Sequence, residues 1–174
     1  MAGDPSKEGG SLNPAAFGIM MGYGFNFHPG TKVDYLLVIP SLSFDVTGYL
    51  AEKQSESGFH LVVEAPFGVT TRPQGRPALG LTPLLRYTPP SSGKLSPYFE
   101  AGIGLFYTDI EVEGLEWDVN FSPQVGCGIT YPISRGTSLN LAVRYHHLSN
   151  AYLASENVSI DSVFFMIGTT FHID

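Results

Sequence analysis

The chain has 174 residues, 43% of them hydrophobic and only 14% charged, with a net charge of -7. Soluble domains usually carry about a quarter charged residues, and an acidic balance argues against nucleic-acid binding. Its single cysteine, Cys127, excludes an intrachain disulfide framework and a multi-cysteine zinc site. Residues 1–14 read as a flexible or separately docked arm, and 15–174 as one folded domain. The opening Met1-Ala2-Gly3-Asp4-Pro5 carries no signal peptide. It fits an unexported protein or a mature start, and the strand pattern favours the second.

The first strand sets Phe17, Ile19, Met21, Tyr23, Phe25 and Phe27 against Gly18, Met20, Gly22, Gly24, Asn26 and His28. His28-Pro29-Gly30 marks a turn. The stretch from Val33 to Thr47 is strand-like, but its Leu36–Ile39 run hides the parity. Residues 48–57 fit least well, being long for a turn. Apolar residues alternate again over 59–67, and Arg72-Pro73-Gln74-Gly75 reads as a turn. Further strands follow over 79–87, 98–107, 120–131, 139–149 and 161–173, giving eight.

One face of these strands is apolar and often aromatic. The other mixes Gly with Glu64, Arg86, Glu100, Asn120, Gln124, Asn140 and Arg144. A solvated sheet face would carry more charge. No apolar run approaches the roughly 20 residues of a membrane helix. The expected fold is therefore all-β: an eight-stranded antiparallel up-and-down transmembrane β-barrel. Small barrels fill their interiors with side chains, and buried charges need partners. Glu64 and Glu100 should pair with Arg86 and Arg144 in the lumen. Cys127 falls on the apolar register as a small filler, and Tyr23, Tyr87, Tyr107 and Trp117 read as girdle or loop aromatics. His28, His60 and His172 are scattered and read as structural. Asn157-Val158-Ser159 spells a glycosylation sequon, which has no meaning in a bacterial protein.

The chemistry concentrates in Tyr145-His146-His147-Leu148-Ser149-Asn150. His147 and Ser149 continue the apolar register of Leu139, Leu141, Val143 and Tyr145, so a base and a nucleophile share the lipid-facing side. Their Cα atoms should lie about 6–7 Å apart. With both termini in the periplasm, the end of the seventh strand and the start of the eighth meet at the external rim. Asp161 shares parity with Val163, Phe165 and Ile167 and should face the same way. His146 has the opposite parity and should hydrogen-bond in the lumen near Arg144. A metal site on His146 and His147 is not expected, because adjacent strand residues point apart.

The segment from Tyr145 to Ala151, followed by Asn157 and Asp161, resembles the lipid A 3-O-deacylases, outer-membrane enzymes of the PagL type. The likeness is strongest over residues 137–173. It implies His147 as general base, Ser149 as nucleophile, Asp161 as the acid and Asn150 as an oxyanion contributor. Where the family more often carries Glu, this chain has Asp161, with Glu156 in the preceding loop as the alternative acid. Tyr145, with Val143 and Val163, would border the acyl chain. The resemblance further implies a lipid A or lipopolysaccharide substrate in a bacterial outer membrane and no cofactor. A homodimer is left open. The chain ends Phe171-His172-Ile173-Asp174 and not on an aromatic residue, a departure from the usual outer-membrane assembly signal. Two rival functions stand beside this one: a structural or adhesion barrel with a decayed motif, and a soluble β-barrel that binds a lipid inside.

Overall fold

The computed structural model describes residues 13–27, 32–51, 57–72, 74–153, 155–156 and 158–173. The expected arm up to residue 12, the turn at His28-Pro29-Gly30 and Asn157 of the sequon lie outside the described residues. The elements are β1 (Pro14–Asn26), β2 (Asp34–Asp45), a short α1 (Thr47–Leu50), β3 (Gly58–Glu64), β4 (Phe67–Arg72), β5 (Gln74–Thr88), β6 (Ser96–Thr108), β7 (Val119–Ser134), β8 (Thr137–Leu148) and β9 (Ile160–His172). The strand neighbours pair antiparallel, and β1 pairs with both β2 and β9, which closes the barrel.

β3 and β4 act as a single stave. Both pair with β2 on one side and β5 on the other. The break falls at Ala65-Pro66, where the proline has no N–H for the ladder. Ala65 N–H donating to Pro40 O at 3.0 Å and Gly80 N–H donating to Pro66 O at 2.8 Å carry the pairing across it. The barrel thus has eight staves, as the alternation predicts. Two strand limits differ from the sequence reading. The third stave runs on to Arg72, and the next starts at Gln74 and not at Leu79, with Thr71 opposite Gln74 in the register. Gly75 sits there at φ +82°, a conformation suited to glycine. Part of the segment 48–57 is α1; residues 52–56 lie outside the described set.

The two faces divide as expected. Large apolar side chains stand outward along every stave, among them Met21, Leu81, Ile103, Val125 and Ile167. Cys127 is exposed on the same face. Such a surface in water would be a large unpaired apolar patch; around a membrane barrel it meets acyl chains. Aromatics mark both ends. Tyr23 Oη donates to Asp34 Oδ2 at 3.0 Å at one rim, and Phe59 and Tyr87 pack with centroids 5.0 Å apart at the other.

The lumen is filled. Arg144, buried on β8, is its hub: it donates to Glu64 Oε1 at 2.9 Å, to Glu100 Oε1 at 3.1 Å and to Gln124 Oε1 at 3.1 Å. Arg86 donates to Glu100 Oε2 at 2.8 Å and lies 4.2 Å over the Tyr98 ring. The expected pairing of two acids with two arginines is thereby met. Above this network Tyr35, Phe106, His146 and Phe164 pack ring against ring, with centroids 5.1–5.9 Å apart. Gly24 makes room for the Phe164 ring, which comes within 2.4 Å of where a Cβ would stand. A cavity of about 310 Å³, bordered by His60, Arg86, Asn140 and His172, opens at the end where β1 starts and β9 ends. Beside His146 only about 10 Å³ is left.

Candidate active site

At the end with the cavity, β2 and β3 are joined by residues 46–57, which include α1; the opposite end carries the connections 109–118 between β6 and β7 and 149–159 between β8 and β9. The rim of β8 and β9 at that end brings the sequence candidates together. His147 and Asp161 are directly opposite in the antiparallel register, as are Tyr145 and Val163. Side chains of directly opposed residues share one face of the sheet, so the histidine and the acid meet without any loop rearrangement.

His147 Nδ1 lies 2.7 Å from Asp161 Oδ1, with 29% and 16% of the two side chains exposed. A carboxylate only accepts hydrogen bonds, so Nδ1 carries the proton and Nε2 is left as the basic nitrogen. Tyr145 Oη donates to the same Oδ1 at 2.5 Å. The Tyr145 ring stands outward and packs against Phe27 with centroids 6.2 Å apart.

Ser149 follows the last residue of β8. It is held by an isolated bridge to β7: Ser149 N–H donates to Phe121 O at 3.1 Å, and Phe121 N–H donates to Ser149 O at 2.9 Å. Its backbone is pinned although the strand has ended. The residue is only 8% exposed, less than outward parity alone suggests. Among the described residues no hydrogen bond joins Ser149 to His147. Such contacts commonly tighten only when substrate is bound.

Asn150 is fully buried and organises the turn that follows. Its Oδ1 accepts from Tyr152 N–H at 2.9 Å, and its Nδ2 donates to Glu156 O at 2.6 Å. Leu153 N–H donates to Asn150 O at 3.1 Å. Ala151 and Tyr152 take φ values of 54° and 59°. Left-handed backbone is costly for residues with a Cβ and persists only where its surroundings dictate it. The loop is also tied to its neighbour. Ser155 Oγ donates to Glu116 Oε1 at 2.8 Å, and Val158 N–H donates to Gly114 O at 3.0 Å.

The acid bonded to the histidine is Asp161. Glu156 is exposed and its Oε2 lies beside Gly114 of the β6–β7 loop. His146 faces the lumen, its Nε2 2.8 Å from Ser122 Oγ; Ser122 in turn accepts from Gln124, the partner of Arg144. Sequence reasoning missed the Tyr145 hydroxyl. It placed the ring beside an acyl chain but not its oxygen on Asp161, although Tyr145, His147 and Asp161 share one parity. The left-handed turn at Ala151-Tyr152 left no glycine in the sequence to mark it.

A family model described as "Lipid A 3-O-deacylase (PagL)" matches residues 13–170. Among solved structures, the crystal structure of the outer membrane enzyme PagL is 21% identical, with a TM-score of 0.60. That alignment covers 91% of this chain and 100% of the other. Neisserial surface protein A (NspA) is 10% identical with a TM-score of 0.65, over 91% of this chain and 96% of the other. At such identities the structures speak for the fold. No curated protein matches the sequence. The barrel and these likenesses place the protein in the outer membrane, which sets aside the soluble lipid-binding alternative. The homodimer left open from sequence finds no support in them.

Proposed function

Since the chain belongs to the lipid A 3-O-deacylase (PagL) family, we propose that it is an outer-membrane esterase that removes an ester-linked 3-hydroxyacyl chain from lipid A. The observation that carries this reading is the His147–Asp161 hydrogen bond at 2.7 Å on the lipid-facing rim, one alternation from Ser149. A histidine and an acid that still meet also speak against a decayed motif in a structural or adhesion barrel.

The chemistry follows from these groups. His147 Nε2 takes the Ser149 proton, and Oγ attacks the acyl carbonyl carbon. Asp161 holds the imidazole in the Nδ1-protonated tautomer and stabilises the imidazolium. The tetrahedral intermediate collapses as His147 returns the proton to the leaving alkoxide oxygen. Water, deprotonated by His147, then releases the fatty acid and restores Ser149. A donor aimed at the oxyanion is worth about 3 kcal/mol. Asn150, or a nearby backbone N–H of the turn that its amide fixes, is assigned to it. The Tyr145 ring, Val143 and Val163 face the bilayer and border the acyl chain, so substrate reaches the site by lateral diffusion in the outer leaflet.

The test is to incubate the folded protein with lipopolysaccharide and detect the loss of one hydroxyacyl group by mass spectrometry. Ser149→Ala should lower turnover about 10⁴-fold or more with the barrel still folded. Near-normal turnover in that variant would remove the triad.

A further inference from the structure

Asp161 Oδ1 receives two donors, His147 Nδ1 and Tyr145 Oη, at 2.7 and 2.5 Å. The three residues form a corner of the β8–β9 ladder. His147 is directly opposite Asp161, and Tyr145, one alternation back on β8, is its diagonal neighbour. Diagonal neighbours lie roughly 7–8 Å apart at Cα, a span that a long aromatic side chain bridges. Tyr145 also has a reason of its own to be there. Its ring stands on the lipid-facing side against Phe27, where a phenol without a hydrogen-bond partner is costly. Asp161 supplies that partner. The aromatic body keeps its apolar surroundings while the hydroxyl turns to the carboxylate.

We propose that Tyr145 is a positioning residue that, through its hydroxyl, fixes the Asp161 carboxylate for His147. This rests on the triad reading above. Aspartate reaches its neighbour through a single methylene, and its carboxylate turns freely about the last bond. With the phenol bound, one oxygen is held at the point where it meets Nδ1.

The experiment uses the full-length barrel in detergent micelles with lipopolysaccharide as substrate, comparing the native chain, Tyr145→Phe, Asp161→Asn and the double variant. Phenylalanine retains the ring and its lipid contact and removes only the oxygen. Tyr145→Phe is expected to lower kcat about tenfold with KM within about twofold. In the Asp161→Asn background the same change should have no further effect, since the group it positions is gone. Heat-modifiable gel migration confirms that each variant is folded. An unchanged kcat, a change confined to KM, or an equal loss in both backgrounds would overturn the proposal. Should Ser149→Ala be inactive while Tyr145→Phe is neutral, only the role of Tyr145 falls. Activity that survives Ser149→Ala removes the triad and this inference with it.

Discussion

His146 and His147 are neighbours on β8 and face opposite sides of the barrel wall. His146 is 3% exposed, wedged between Phe106 and Phe164, with its Nε2 on Ser122. His147 looks toward the bilayer, with Asp161 on Nδ1. The same residue type is a packing piece in one setting and a candidate base in the other. The difference comes from the two-residue period of a strand, not from any local sequence signal. Arg144 and Tyr145 repeat the lesson one step back: the arginine knots the lumen together, and the tyrosine reaches the site acid.

The sharpest way to break this contrast is to exchange each histidine for asparagine. His147→Asn should cut lipopolysaccharide deacylation by at least about 10³-fold while the gel-shift assay still shows a folded barrel. His146→Asn should leave turnover within a few-fold and lower stability by about 1–2 kcal/mol, read as an earlier midpoint in urea. The reverse pattern would mean that the register is displaced by one residue, which turns every side chain to the other face.

The acid gives the next largest effect. Asp161→Asn removes the charge but not the shape and should lower kcat by about two to four orders of magnitude. Asp161→Glu should retain substantial activity, since it keeps the charge. Glu156→Gln should change little, because its side chain lies with Gly114 on the far loop. A damaging Glu156→Gln beside a silent Asp161→Asn would transfer the role to the loop. On the lumen side, Arg144→Leu leaves two buried acids without their shared cation. It should cost about 3–5 kcal/mol of stability and show itself in urea midpoints before it shows in kcat.

The architecture was legible because a barrel repeats one rule. Every stave but the second, where the Leu36–Ile39 run hides the parity, announces its two faces by alternation, and the acids and arginines on the polar parity could only meet inside. The site was legible where it shares that rule, at His147 and Asp161. Beyond the last residue of β8 the period stops carrying information. The burial of Ser149 depends on a bridge to Phe121, a residue far off in the sequence. The part Asn150 plays depends on a turn whose left-handed residues, Ala151 and Tyr152, carry no glycine to betray them. The Pro66 break was visible as a proline but not as a pause within a continuing stave, since only the register with β2 and β5 shows that the pairing resumes.

The crowded lumen has a consequence for the cell that has nothing to do with catalysis. A barrel of this kind is also a hole in the outer wall unless something stops it. The ion knot around Arg144, and the rings of Tyr35, Phe106, His146 and Phe164 above it, stop it at two successive levels. Among the described residues these two levels leave little room for water, with only about 10 Å³ beside His146.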